Sequence, residues 1–174
     1  MVNRKIEVFD GFLKKEDFIK IQNKVFDNEF PWEFNKDICG QKEEENQLDN
    51  CMFVHVVYGT RPNFKISPLL ELLKPLLDKL NVDILCRIKV NLNLRTENHV
   101  EHCYHVDHSN DLFYSAIFYL NDCNGGTKIE GQPLIQSVAN RLVVFPSNML
   151  HTGVSQTNTK RRDVINIIFT KYNG

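Results

Sequence analysis

Arg87-Ile88-Lys89-Val90-Asn91-Leu92-Asn93-Leu94-Arg95 alternates polar and apolar residues without a break. Successive side chains of a strand leave opposite faces, so Arg87, Lys89, Asn91, Asn93 and Arg95 share one side. Ile88, Val90, Leu92 and Leu94 share the other, which must be buried. An ordinary half-buried strand turns its polar face to solvent; the alternative is that this face lines a polar cavity. C-terminal to it the chain stays β in character. Runs rich in Ile, Val, Phe and Tyr cover 84–94, 112–121, 134–138, 141–145 and 163–172. Asn124-Gly125-Gly126, Gly131 to Pro133 and Pro146-Ser147-Asn148 punctuate them as turns. Short strands at this spacing predict an antiparallel sandwich or barrel.

N-terminal to the same strand the pattern is mixed. A short strand at 6–9, a turn at Asp10-Gly11 and a helix over 16–28 are followed by the polar, mostly acidic run 41–50, read as a solvated loop. A strand over 52–58 and a Gly-Thr-Arg-Pro turn come next. The amphipathic helix over 67–80 is expected to be capped by Ser67, with Pro68 in its first helical position. Its stripe of Leu69, Leu70, Leu72, Leu73, Leu76, Leu77 and Leu80 should pack against a sheet. The fold class is therefore mainly β with flanking helices (α+β). One domain is expected over 1–174, with 1–83 as an N-terminal α/β support and 84–174 as the β core.

At 174 residues there is room for one domain and a genuine core. With 21 Lys and Arg against 22 Asp and Glu, the chain lacks the basic surplus of a protein held mainly by phosphate backbones, which weighs against a nucleic-acid partner. No apolar run approaches the roughly 20 residues needed to span a membrane. The opening MVNRKIEVFDGF lacks the apolar stretch of a signal peptide. Five cysteines without CxxC spacing do not suggest a disulfide scaffold, so a reducing, cytoplasmic setting is expected, the host cytoplasm if the chain is viral.

Chemistry concentrates in His99-Val100-Glu101-His102-Cys103-Tyr104-His105-Val106-Asp107-His108. His105 and Asp107, at i and i+2 on extended backbone, leave the same face and can meet on one ion. Imidazole and carboxylate together suit a borderline divalent metal. His151, beyond the 141–145 strand and a Pro-Ser-Asn turn, is the best third ligand. Two His and one carboxylate leave open positions, as in the facial triad of non-haem Fe(II) oxygenases. A zinc site using His102, Cys103, His105 or His108 competes with that reading, although the remaining cysteines are scattered. His99, His102 and His108 are otherwise read as surface or supporting groups, and Cys103 as a bystander thiol. On the C-terminal strand, Arg162, Val164, Asn166 and Ile168 share a face. That guanidinium is a planar fork suited to the far end of a dicarboxylate, and Tyr119 could add a phenol donor.

In this order, His105-Val106-Asp107, Phe118-Tyr119-Leu120-Asn121, Gly125-Gly126-Thr127, Asn140 to Phe145, His151-Thr152-Gly153 and Arg162 to Asn166 resemble the 2-oxoglutarate- and Fe(II)-dependent dioxygenase superfamily. The branch is the prolyl 4-hydroxylase-like one. Lys89-Val90-Asn91-Leu92 with Arg95-Thr96, and the stretch from Ser137 to Phe145, look most like its short bacteriophage members. The resemblance implies a double-stranded β-helix, or jelly-roll, core. It implies Fe(II) held by His105, Asp107 and His151, and 2-oxoglutarate held by Arg162 with Tyr119, Asn93 and Asn166. O2 would be the oxidant, 2-oxoglutarate would lose CO2 to become succinate, and a C–H bond would be hydroxylated. A prolyl residue is the substrate the branch suggests; a small molecule or a peptide is the expected partner, met by Asn91 and Arg95. Many relatives carry Tyr where this chain has Asn93, and an aromatic where Lys128-Ile129 follows Thr127. A jelly-roll metalloenzyme that does not use 2-oxoglutarate, and a non-catalytic jelly-roll binding module, stand as alternatives.

Overall fold

The computed structural model describes residues 5–36, 38, 50–59 and 64–171. The expected loop at 41–49 and most of the Gly-Thr-Arg-Pro turn lie outside the described residues. In chain order the elements are β1 (Glu7–Phe9), α1 (Lys15–Phe26), β2 (Glu33–Asn35), β3 (Met52–Gly59), β4 (Lys65–Ile66), α2 (Leu69–Leu72), α3 (Lys74–Leu80), β5 (Val82–Leu94), β6 (Tyr114–Tyr119), β7 (Gly126–Ile129), β8 (Ile135–Gln136), β9 (Leu142–Pro146), β10 (His151–Val154) and β11 (Arg161–Lys171).

Two antiparallel sheets form the core, mainly β with few helices, consistent with a double-stranded β-helix. The larger is eight-stranded in the order β1-β9-β6-β11-β5-β3-β2, with β4 paired to β3; the smaller is β10-β7-β8. Strand alternation divides the large sheet cleanly. Ile88, Val90, Ala116, Phe118, Leu142, Val144, Ile165 and Ile167 face the helices and pack with Phe18, Ile21 and Val25 of α1 and Leu69, Leu73, Leu76 and Leu80 of the Leu-rich segment. The opposite faces of β6, β9 and β11 give a smaller apolar cluster, Ile117, Tyr119, Val143, Phe145 and Val164, joined by Ile129 of β7. The polar face of β5 lies on this inner side. Its cavity reading therefore prevails over the solvent reading.

Helix α1 seats Phe18 edge-on against Phe118 of β6, with ring centroids 6.0 Å apart. Phe118→Ala should cost about 3–5 kcal/mol, read by urea unfolding, because the void lies between two rigid layers.

Two details differ from the sequence expectation. The helix expected over 67–80 is split into α2 and α3 around Leu73. Pro75, in the first turn of α3, has no N–H to continue the α2 ladder and its ring crowds the preceding turn. Ser67 nevertheless acts near the start, where its Oγ accepts from the Leu69 N–H at 3.3 Å. Finally, Gly126 is the first residue of a strand and not only part of a turn. A Cβ there would lie 2.2 Å from the Ile135 carbonyl oxygen, so the close β7–β8 approach requires glycine. Among the described residues, no helix is long and apolar enough to cross a membrane.

Candidate metal centre

The backbone brings the His-x-Asp segment to β10. His105 and His151 exchange both N–H···O bonds at 3.0 Å, an isolated antiparallel bridge. The Asp107 N–H then donates to the Ser147 carbonyl at 3.0 Å. Both imidazole rings consequently meet above the inner face of the large sheet, with centroids 4.5 Å apart. Each ring turns Nδ1 to a carbonyl two residues back: His151 to Met149 at 3.0 Å and His105 to Cys103 at 3.4 Å. A carbonyl can only accept, so Nδ1 carries a proton in both rings, and Nε2 is the atom left for an ion.

Asp107 completes the group. Ligand atoms of His105, Asp107 and His151 lie within 4.8 Å of one another, and among the described residues no other His, Cys, Asp or Glu trio does so. Its Oδ2 is 3.4 Å from His151 Nε2. The same oxygen accepts from Ser115 Oγ at 2.7 Å and from Asn166 Nδ2 at 3.3 Å. Oδ1 is taken by Arg87 Nη2 at 2.8 Å. Burial alone would raise the pKa of Asp107. The His151 hydrogen bond and charge, the Arg87 charge and the Ser115 hydroxyl overcome it and hold the carboxyl far below the ordinary range. For His105, burial and the neighbouring His151 push the pKa down. The set thus places an ionised carboxylate beside two imidazoles, the donors a divalent ion takes in exchange for any proton the rings carry.

A cavity of about 210 Å³ opens over this group. Arg162 lines it, 3% exposed, with a buried Nε that has no hydrogen-bond partner. Among the described residues no carboxylate is within ion-pair distance of its guanidinium. Arg161, its neighbour, goes to the other face of β11, stacks 4.7 Å over Phe26 and pairs with Asp163. Adjacent arginines are thereby separated as strand alternation demands.

The other expected site residues are placed unevenly. Asn93 lines the cavity and donates from Nδ2 to the Arg162 carbonyl at 3.2 Å. Asn166 also lines it, but its amide holds Asp107. Tyr119 is fully buried just behind the cavity wall. Its hydroxyl donates to Thr127 Oγ1 at 2.7 Å, and burial pushes the phenol up to about 12, so it remains a donor. Thr127 is the side chain that lines the cavity beside Arg162. Asn91 lines the cavity with a buried, unpartnered Oδ1. Arg95 is exposed and borders a separate small cavity of about 90 Å³.

Sequence reasoning missed Arg87, Ser115 and Thr127 as site residues. Arg87 was visible as the first member of the alternating polar face and Thr127 as the end of the Gly125-Gly126-Thr127 motif, whereas Ser115 carries no sequence signal of its own. The zinc alternative loses its thiolate, since Cys103 is disulfide-bonded and not the free thiol expected. His108 stacks on Phe113, and His99 bonds the Ser155 carbonyl.

No protein-family model and no curated protein sequence matches this chain. Solved structures do. A Trichoplax adhaerens prolyl hydroxylase, solved in complex with a hypoxia-inducible-factor oxygen-degradation-domain peptide, aligns with TM-score 0.66 and 14% identity, covering 97% of this chain and 84% of that one. A 2OG-Fe(II) oxygenase family oxidoreductase from Burkholderia pseudomallei aligns with TM-score 0.65 and 15% identity over 97% and 86%. A Pseudomonas putida prolyl-4-hydroxylase gives 0.60 and 16% over 97% and 94%. The fold is that of the 2OG-Fe(II) oxygenases. Within it, this chain presents a His-x-Asp…His facial-triad candidate.

Proposed function

We propose that the protein is an Fe(II)- and 2-oxoglutarate-dependent dioxygenase that hydroxylates a C–H bond of a small substrate or a peptide, with succinate and CO2 as coproducts. The observation that carries this reading is Arg162. A buried guanidinium without a carboxylate is costly unless a ligand supplies one, and this one shares its cavity with the metal-ligand trio.

The residues fit both absent groups. His105, Asp107 and His151 offer the mixed nitrogen and oxygen donors that suit Fe(II), and Arg162 with Thr127 offers donors to a distal carboxylate. When bound, the metal and cosubstrate supply the oxidising chemistry. The chain's own work is positional. The carbonyls of Met149 and Cys103 fix the imidazole tautomers. Arg87, Ser115 and Asn166 hold the Asp107 carboxylate in one orientation. Tyr119, through Thr127, braces the wall facing Arg162.

Aerobic succinate formation with Fe(II) and 2-oxoglutarate tests the reading, with His105→Ala and Arg162→Ala both expected to abolish it. Gly153→Ala is a subtler probe. A Cβ there would lie 3.2 Å from Arg162 Nη2, so the guanidinium must shift. Roughly tenfold weaker 2-oxoglutarate binding is expected with metal affinity unchanged, read by anaerobic calorimetry.

The pH dependence of metal binding has a definite sign. The folded-state pKa of His105 lies below the ordinary imidazole value, so its neutral form persists to lower pH than in a free histidine. Fe(II) affinity, measured against a competing chelator, should hold at neutral pH and fall on acidification only below the range in which a free imidazole takes up its proton.

A further inference from the structure

Lys89 is a cation of the cavity that no ion pair neutralises among the described residues. It lines the cavity half-buried from β5, and its ammonium makes no hydrogen bond or ion pair among the described residues. The nearby carboxylate, Asp107, is already held by Arg87, Ser115 and Asn166. Burial and the Arg87 charge push the lysine's pKa down, with Asp107 opposing them. Two further groups on the same face are also unsatisfied: Arg87 Nε and Asn91 Oδ1 are buried without partners. Three successive inward residues of one strand thus line one cavity, and each keeps a polar group without a partner among the described residues. Buried polar groups are normally paired, and such a set marks a place where a ligand supplies the partners.

Register separates this set from Arg162. Lys89 pairs with Asn166 and Asn93 with Arg162, so the two cations are offset by four residues along β11. At about 3.3 Å per residue that is roughly 13 Å of strand. The metal ligands lie between these ends: Asn166 holds Asp107 near Lys89, while Gly153, two residues after His151, abuts Arg162. A cosubstrate reaching from the triad to Arg162 therefore points away from Lys89. The cation belongs to whatever approaches from the other side, and a neutral peptide segment would cover it without supplying a counter-charge.

We propose that the prime substrate is a small carboxylate of the amino-acid class, its acid group docked on Lys89 and Arg87 Nε and its own N–H or O–H donor taken by Asn91 Oδ1; this rests on the oxygenase reading above. The cavity of about 210 Å³, which must also admit the cosubstrate, suits a small molecule.

The test is anaerobic calorimetry on the Fe(II)–2-oxoglutarate complex. Titrants are the standard L-amino acids, each beside its carboxamide, and a proline blocked at both ends. At least one acid should bind about tenfold or more tightly than its amide. That preference should collapse in Lys89→Gln and survive in Lys89→Arg, with 2-oxoglutarate affinity retained in both as evidence of an intact fold. Three results would overturn the proposal: no acid binding, amides or blocked proline binding as well as acids, or an acid preference that persists in Lys89→Gln. Failure of 2-oxoglutarate to bind the Fe(II) protein in the preceding titration would instead remove the oxygenase reading, and this inference with it.

Discussion

Asp107→Ala should abolish metal binding while leaving the fold in place. The carboxylate is the only anionic member of the candidate triad, and its loss removes a ligand together with the group that neutralises Arg87. Removing a partner that merely orients a ligand typically costs 10–100-fold in metal affinity, so losing the ligand itself should exceed about 100-fold. Anaerobic Fe(II) titration against a chelator reads that loss. Circular dichroism reads the fold, which rests on the helix-facing core around Phe118 and Ile165 rather than on the site. Ser115→Ala should fall in the lesser range, about tenfold, because it frees Asp107 Oδ2 from one of its donors without removing charge.

Arg162→Met should have opposite effects on binding and on stability. With Fe(II) bound, 2-oxoglutarate affinity should drop by about 3 kcal/mol, roughly 100-fold or more, because a desolvated charge partner has gone. Without ligand, the same variant should be as stable as the parent or more stable by up to about 2 kcal/mol. It replaces a buried, unpaired guanidinium with an apolar chain of similar reach. Thermal unfolding with and without 2-oxoglutarate gives both quantities. A purely structural arginine would instead lower stability in both conditions. The parent should gain stability on adding 2-oxoglutarate, and the variant should not.

Much of this arrangement was legible in the sequence because period-2 alternation carries direction as well as structure. The run from Arg87 to Leu94 separated an apolar face, buried at Ile88, Val90 and Leu92 but exposed at Leu94, from a polar face that alternation alone could not assign to cavity rather than solvent. The same rule put Arg161 and Arg162 on opposite faces, as the structure does, while the choice of Arg162 rested on the resemblance, through the spacing to Asn166. His105 and Asp107 were found by i, i+2 spacing, and His151 by its place after a β run. What stayed hidden depends on contacts between segments far apart in sequence. Ser115 and Arg87 reach Asp107 only once β5, β6 and the His-x-Asp loop are assembled. Thr127 stood in the sequence only as the end of the Gly125-Gly126-Thr127 motif, just after a segment read as a turn; the close approach of β7 to β8 makes it part of the cavity wall. Arg95 shows the opposite limit. It continues the alternating series in sequence, but it lies just beyond the end of β5, exposed at a separate cavity.

Anaerobic titration of 2-oxoglutarate into the Fe(II)-loaded protein tests the central claim most directly, because it isolates the joint site from substrate and turnover. About one equivalent per chain should bind, with affinity that collapses when the metal is removed or when Arg162 is Met. A protein that demonstrably holds Fe(II) through His105, Asp107 and His151, yet takes up no 2-oxoglutarate, would contradict it.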